Sequence, residues 1–141
     1  MGPKRGADGK LELVFPMADK RLSGIAAEDI GKCAYGILKR GEQAIYQRIG
    51  IAGEHLTGGE MATQLAEALD QPITYKAVPP EVYRGFGFPG AEDLGNMFQV
   101  YTDFEEEFAR ARSLEVTRSL NPDVQSFRTW LSRNKDQIPL P

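Results

Sequence analysis

The sequence GFGFPGAEDLGNMFQVY, residues 85–101, says most about the fold of this chain. It combines aromatic residues and glycines with a Pro-Gly break, and then continues into an amphipathic pattern. A segment this apolar is unlike a solvated linker. We therefore expect a compact loop, in which Phe86 and Phe88 fill apolar space, followed by a helix.

The same loop contains the spacing of a dinucleotide fingerprint, G-x-G-x-x-G, at Gly85, Gly87 and Gly90. In a nucleotide-binding turn those glycines follow a strand and open a helix whose N-terminal amides hold the pyrophosphate. Here the preceding residues 80–84 are typical of a short helix, and Pro89 removes one amide donor from the loop. The pattern favours a structural loop, and we expect no cofactor-binding residue within this chain.

The composition is that of a folded domain without a strong charge bias. Hydrophobic residues make up 41% of the 141 residues and charged residues 26%, which supplies enough apolar material for one core. The net charge of −3 gives no basic surface for nucleic acid. No apolar run reaches the ~18 residues of a membrane-spanning helix, and the first residues lack the apolar segment of a signal peptide. We expect a cytoplasmic protein with no direct nucleic-acid or membrane partner.

Cysteine and histidine occur once each, as Cys33 and His55. One of each cannot form a His/Cys zinc site or an internal disulfide, so we predict no metal ligands. Cys33 falls on a predicted apolar helix stripe and is most simply a small core residue. His55, beside Glu54, is either a general base or a loop histidine with ordinary polar contacts.

Strands and helices alternate along the chain. Residues 1–10 are predicted to be a flexible lead-in, and residues 11–141 one domain. Alternating apolar residues predict strands at 11–15, 46–52 and 73–77, and an extended segment at 22–25. Helical periodicity and capping patterns predict helices at 28–40, 57–69, 80–83 and 91–113, and a last helix from an N-cap at Asn121. Thr57 and Glu60 have the spacing of a capping box at the start of the second of these helices. This order indicates a helix-rich α/β fold with a small sheet and about four to five helices.

The first predicted helix has charges that suit its dipole. Glu28 and Asp29 lie in its first turn and Lys39 and Arg40 in its last. Its apolar stripe, which we expect to face the core, consists of Ile30, Cys33, Ala34, Ile37 and Leu38.

Tyr35 and Lys39 have the Tyr-x-x-x-Lys spacing of short-chain dehydrogenases, and Ser23 lies twelve positions before the tyrosine. In those enzymes the lysine lowers the pKa of the tyrosine, which then acts as an acid or base near neutral pH. The match consists of three common residue types, and the last turn of a helix is a normal place for a solvated lysine. We therefore assign no catalytic residue from this pattern.

Taken together, these segments resemble the NmrA-like family of atypical short-chain dehydrogenase/reductase proteins, which includes fungal nitrogen-metabolite repressors and an animal NADPH-sensing protein. The resemblance is carried by Gly-Phe-Pro-Gly-Ala-x-Asp-Leu-x-Asn-Met-Phe at 87–98 and by residues 26–31, 46–57, 79–83, 119–122 and 127–131. Family members are considerably longer and carry their glycine-rich cofactor turn in the N-terminal half. The resemblance therefore implies the C-terminal, substrate-domain half of a Rossmann-type protein, with the Rossmann half absent.

The function that this resemblance implies is regulatory. The chain would be a non-catalytic part of an NAD(P)-sensing regulatory or binding protein, and would form one wall of a ligand cleft and a protein-contact surface. NAD(P) is the implied cofactor of full-length relatives. The cleft wall is expected among the polar and aromatic residues of the loop and the following helix, namely Phe86, Phe88, Asp93, Asn96, Phe98 and Tyr101.

An enzymatic alternative stays open at this point. The chain would then be the C-terminal half of a truncated or split NAD(P)H-dependent oxidoreductase. The implied partner is the missing N-terminal Rossmann half or another protein. Because a small sheet alone leaves an edge and an apolar face uncovered, a homo-oligomer is a further expectation.

Overall fold

A computed structural model describes residues 2–141, which form five β-strands and seven α-helices joined in places by short 3₁₀ turns. The strands are β1 (Lys4–Arg5), β2 (Leu11–Phe15), β3 (Arg21–Gly24), β4 (Glu54–Thr57) and β5 (Ile73–Ala77). The helices are α1 (Ala27–Lys39), α2 (Gly58–Leu69), α3 (Pro80–Arg84), α4 (Ala91–Asp103), α5 (Glu105–Arg110), α6 (Leu114–Leu120) and α7 (Phe127–Asn134).

The core is built on two parallel strands, β2 and β5, which confirm the strands predicted at 11–15 and 73–77. Leu11 pairs with Ile73 and Phe15 with Ala77. Parallel strands need a crossover connection, and α2 completes it by packing against both strands. Every second residue of β2 is buried, and these residues belong to one hydrophobic core with residues of α2, α4 and α7. The core includes Leu13, Phe15, Leu65, Phe98 and Leu131.

The second sheet is the antiparallel pair β3–β4, in which Ser23 lies opposite His55. Strand β4 leads directly into α2 through the predicted capping box. The hydroxyl of Thr57 accepts a hydrogen bond from the Glu60 amide at 3.2 Å, and the Glu60 carboxylate accepts one from the Thr57 amide at 2.8 Å. The two bonds fix the start of α2 at the end of this sheet.

Part of the predicted lead-in lies against the first sheet. Lys4 and Arg5 pair with Glu12 and Leu11 in antiparallel fashion, so that β1 covers only the beginning of the β2 edge. The domain boundary at residue 10 stays a prediction.

The strand predicted at 46–52 is wrong. Tyr46 has a φ of 60° and is fully exposed. The Ala52 amide donates to the side chain of Thr117 at 3.0 Å, so it is not available to a strand ladder. The alternating residues pack in an irregular segment, and the strand β4 begins only at Glu54.

The long helix predicted at 91–113 is also wrong, because it is divided into α4 and α5. Phe104 joins the two helices with a non-helical φ of −122° and ψ of 36°. This bend lets the Glu105 carboxylate accept hydrogen bonds from the backbone amide and Nε of Arg21, both at 3.0 Å. A separate helix, α6, begins after Ser113, whose hydroxyl accepts from the Val116 amide. The fold consequently has more and shorter helices than predicted.

The last helix does not begin at Asn121. That residue ends α6, and its side chain donates to the buried carboxylate of Asp29 at 3.1 Å. Helix α7 starts at Phe127 instead, with Ser126 as the N-cap that accepts from the Thr129 amide at 3.1 Å. The side-chain oxygen of Asn121 accepts from the Asp123 amide at 3.2 Å, which closes a local turn and begins no helix.

The predicted apolar stripe of α1 is only partly correct. Cys33 is buried as predicted, but Ile30 is 48% exposed and Leu38 78% exposed, and Ala34 is exposed as well. The buried face of the helix instead includes the charged Asp29. Helix α1 packs on α6 through this face.

Candidate functional site

A cavity of about 380 Å³ lies between the second sheet and the beginnings of three helices, α1, α2 and α7. We call it the β3–β4 cavity. Most of its lining is apolar; the residues are Leu22, Gly24, Ile25, Ala26, Ala27, Glu54, Leu56, Met61, Gln125, Ser126, Phe127 and Trp130.

The chain topology places this cavity at the carboxyl end of the parallel strands. Helix α2 packs on β5 and is followed by it after a short turn, so the helix runs antiparallel to the strand. Its first turn, which contributes Met61 to the cavity, therefore lies toward the carboxyl end of β5, where Gly58 meets the ring of Tyr75. In open α/β sheets, ligands bind beyond the carboxyl ends of the strands.

The alternation of side chains in β3 and β4 decides which residues line the cavity. Leu22, Gly24, Glu54 and Leu56 face it, and their neighbours point to the other side of the sheet. A Cβ atom added to Gly24 would have no heavy atom within 4 Å. The cavity is therefore open at this position.

Two polar side chains of the lining accept hydrogen bonds from backbone amides at the start of α7. Oε2 of Glu54 accepts a hydrogen bond from the Phe127 amide at 2.6 Å, and the Ser126 hydroxyl caps the same helix. Within residues 2–141, Oε1 of Glu54 has no hydrogen-bond partner. One oxygen of this carboxylate therefore remains available to a ligand.

Gln125 is held in place by the buried carboxylate of Asp29. The backbone amide of Gln125 donates to Oδ2 of Asp29 at 2.9 Å, and its side-chain amide donates to the same oxygen at 3.2 Å and to Glu28. Lys32 donates to Oδ1 of Asp29 at 3.1 Å. Burial alone raises the pKa of Asp29, but the hydrogen bonds from Gln125 and Lys32 outweigh it and leave the pKa below its ordinary value.

The aromatic wall of the cavity comes from one face of α7. Phe127 and Trp130 have nearly parallel rings, with an interplanar angle of 11° and centroids 6.4 Å apart. An apolar cavity with a few fixed polar groups is typical of small-molecule sites. This arrangement can hold an apolar molecule and accept one hydrogen bond from it.

The predicted cleft residues do not converge on this cavity. Phe86 and Phe88 line a different groove of about 630 Å³, together with Val14 and Lys76 on the face of β2 and β5 that points away from the core. Phe98 is fully buried among the core aromatics. A ligand role for these residues stays a prediction.

The remaining predicted cleft residues lie along α4. Asp93 and Asn96 are exposed, and Asn96 accepts a hydrogen bond from Arg84 at 3.2 Å. Tyr101 packs against Phe108 with ring centroids 4.1 Å apart. Asn96 and Tyr101 thus have structural contacts, and none of these three residues lines the groove that contains Phe86 and Phe88.

The dehydrogenase-like spacing of Ser23, Tyr35 and Lys39 does not correspond to an assembled site. Tyr35 is 65% exposed on α1, and the Lys39 ammonium lies 5.4 Å from the centre of its ring. Ser23 is bonded instead to His55, with 2.8 Å between Oγ and Nδ1. Burial lowers the pKa of His55, and the ring also bonds to the backbone of Arg112.

The glycine pattern of the fingerprint follows a helix. Gly85 is the C-cap of α3, and Gly90, with a φ of 83°, precedes α4. The structure thus confirms the predicted helix–loop–helix setting of this segment.

Other classes of site are not evident in the described part of the chain. Residues 2–141 contain no group of three or more His, Cys, Asp or Glu side chains that could hold a metal ion. Among the same residues, no helix has both the length and the apolar character needed to cross a bilayer.

No local sequence pattern marks the residues of the β3–β4 cavity as the lining of one site. In the sequence, Glu54 stands out only as the neighbour of His55, and Trp130 only as part of the segment 127–131 that carries the family resemblance. The bond between Glu54 and Phe127 joins positions 73 residues apart, which no local pattern reveals.

Comparison with protein families identifies the class of this protein. The model of the NmrA-like family matches residues 2–131. The chain therefore belongs to the NmrA-like family, as its sequence resemblance predicts.

Solved structures share the fold. A nucleoside-diphosphate-sugar epimerase from Staphylococcus aureus matches with a TM-score of 0.72 and 21% identity, over 86% of this chain and 43% of that one. NmrA, a negative transcriptional regulator, matches with a TM-score of 0.71 and 24% identity, over 92% and 44%. The triphenylmethane reductase of Citrobacter sp. matches with a TM-score of 0.71 and 11% identity, over 90% and 45%.

These likenesses establish the fold, and the chain spans less than half the length of each of the three proteins. NmrA has also been solved in complex with NAD and with NADP.

Proposed function

We propose that this chain is the non-catalytic, ligand-binding domain of an NAD(P)-sensing NmrA-like protein. The observation that carries the proposal is the apolar β3–β4 cavity at the carboxyl end of β2 and β5. Membership of the NmrA-like family supports it, because NmrA is a transcriptional regulator that binds NAD and NADP. In this proposal the chain forms one wall of the cleft, and the dinucleotide is held by a partner half.

The dispersed positions of the dehydrogenase-like residues favour binding over catalysis. Tyr35 and Lys39 lie on the exposed surface of α1, while Ser23 is bonded to His55 in the second sheet. A role as half of an NAD(P)H-dependent oxidoreductase is the second candidate, and the fold of the triphenylmethane reductase favours it. The two candidates differ in whether this chain contributes to NADPH oxidation.

A protein-contact surface is the second part of the proposal. The face of α1 that points away from α6 presents Ile30, Tyr35 and Leu38 to solvent, and Ile45 and Tyr46 follow it. Exposed apolar side chains grouped in this way are typical of interaction surfaces. We propose the partner half or a second copy of the chain as the protein that covers them.

Calorimetric titration of the purified chain with NADPH and NADP⁺ tests the proposal. We expect no heat above dilution, because the only dinucleotide-like glycine pattern lies between two helices. The variant Gly87→Val serves as a control, since it would remove any binding by that loop. Micromolar binding to the chain alone, or oxidation of NADPH by it, would overturn the proposed function.

A further inference from the structure

We infer that the β3–β4 cavity selects small apolar molecules that carry an ammonium or another N–H donor. This inference rests on the proposed function, since it names the ligand class of the same cleft.

The body of the cavity is suited to an aromatic or aliphatic group. Leu22, Leu56 and Met61 form one side, and the rings of Phe127 and Trp130 form the other. A volume of about 380 Å³ is at the lower end of the ~300–1,000 Å³ typical of small-molecule pockets. A single ring with a short alkyl chain therefore suits the space.

Glu54 gives this apolar space a preferred polar partner. Its Oε2 is occupied by the Phe127 amide, whereas Oε1 has no partner within residues 2–141. An ionised carboxylate accepts hydrogen bonds and donates none. Charge-assisted bonds to such a group are about twice as strong as neutral ones, and poor access of water strengthens them further.

The surrounding charges also favour a cation. The side-chain amide of Gln125, which lines the cavity, donates to the carboxylates of Glu28 and Asp29. Two basic groups near Gln125 are already engaged: Lys32 with Asp29 at 3.1 Å, and Arg133 with the side-chain oxygen of Gln125 at 3.3 Å. The partial positive charge at the start of α7 is met by Glu54 itself. An anionic ligand would be repelled by the carboxylate of Glu54.

The aromatic wall adds to the same preference. The face of an indole or phenyl ring attracts a cation within about 6 Å of its centre. An ammonium group bound to Oε1 of Glu54 would share the cavity with the rings of Phe127 and Trp130. Both contacts favour a positive charge over a neutral hydroxyl group.

The test compares three probes with one skeleton: 4-phenylbutylamine, 4-phenylbutan-1-ol and 4-phenylbutanoate. Trp130 is the only tryptophan in the chain and lines the cavity, so its fluorescence reports occupancy directly. We expect the ammonium probe to bind about 10-fold or more tightly than the alcohol, and the carboxylate to bind most weakly. In Glu54→Gln, which keeps an oxygen for the Phe127 amide, the amine should lose this advantage while the alcohol keeps its affinity.

A steric pair of variants locates the binding. Gly24→Leu adds a side chain that points into the cavity without a backbone clash, so it should abolish binding of all three probes. Gly31→Leu makes the same change at an equally open glycine on α1, away from the cavity lining, and should bind like the wild type. Circular dichroism of each variant verifies the fold.

Three outcomes would overturn the inference: equal affinity for the three probes, no binding of any probe, or binding that Gly24→Leu leaves unchanged. None of them depends on a dinucleotide. The NADPH titration decides separately on the proposed function, so that a wrong ligand class is distinguished from a wrong functional class.

Discussion

The two faces of α1 differ in a way that hydrophobicity alone does not explain. The inner face buries Asp29 completely and packs Gly36 against α6, whereas the outer face leaves Ile30 and Leu38 exposed. The difference shows that burial in this helix is decided by the segment that lies against it. A charged residue is inside because that segment supplies its hydrogen-bond donors.

Two specific contacts hold the inner face of α1 against α6 and the segment that follows it. Asp29 accepts hydrogen bonds from Asn121, Gln125 and Lys32, so a buried carboxylate has enough donors to stay ionised. A Cβ atom on Gly36 would lie 2.3 Å from the carbonyl oxygen of Leu120, so only glycine permits this approach of α6. The exposed residues Ile30 and Leu38 of the outer face have no such contact to preserve. Substitutions on the two faces should therefore differ in their effect on stability.

The largest effect is expected for Asp29→Ala. The change leaves the buried amides of Asn121 and Gln125 without their acceptor, and we expect a loss of about 3–4 kcal/mol in the free energy of unfolding. Urea denaturation followed by circular dichroism measures it. The exposed Asp93→Ala is the matched control and should stay within about 0.5 kcal/mol of the wild type. Equal losses in the two variants would contradict the role of the inner face.

Acid titration refines the same prediction. Because the pKa of Asp29 is lower in the folded chain, its stabilising contribution is present above the ordinary aspartate value of 3.8 and is lost as pH falls through the folded pKa. The stability of the wild type should therefore fall more steeply in this acid range than that of Asp29→Asn. Parallel curves for the two proteins would refute the assignment.

The second effect concerns the two glycines of α1. Gly36→Ala forces a Cβ against the backbone of Leu120 and should cost about 1–3 kcal/mol of unfolding free energy. Gly31→Ala meets no heavy atom within 4 Å and should stabilise the helix by about 0.5–1 kcal/mol. Thermal unfolding of both variants measures the difference. Shifts of the same sign would show that α6 does not pack as described.

The smallest effect on stability is expected on the outer face. Leu38→Glu replaces a side chain that is 78% exposed, so the free energy of unfolding should change by no more than about 0.5 kcal/mol. Sedimentation velocity should nevertheless detect weaker self-association if this face contacts a second copy. Gln137→Glu, an exposed change outside α1, serves as the control. A large destabilisation by Leu38→Glu would mean that the two faces do not differ.

The features that were predicted correctly from the sequence depend on neighbouring residues. The alternation in β2 and β5 and the capping box at Thr57 each involve a few consecutive positions. The helix from Pro80 was indicated by its proline, and the loop after it by its glycines. Local chemistry was sufficient in each of these cases.

The features that were missed depend on distant residues. Apolar alternation at 46–52 resembled a strand, but the Ala52 amide is taken by Thr117. Asn121 resembled a helix cap, but its side chain bonds to Asp29, 92 positions away. The β3–β4 cavity likewise joins Glu54 to Phe127, and the pairing of these positions leaves no periodic signal in the sequence.

The partners of Asp29 have a consequence for the order in which the chain acquires its structure during synthesis. The hydrogen bonds that Asp29 accepts from Asn121 and Gln125 span 92 and 96 residues, so they form only after most of the chain has left the ribosome. Contacts of such long sequence separation slow folding because the intervening loop has to close first. Until then Lys32, on the same helix, is the one donor of the three that Asp29 can reach, and nascent chains that stall before residue 121 should remain dependent on chaperones.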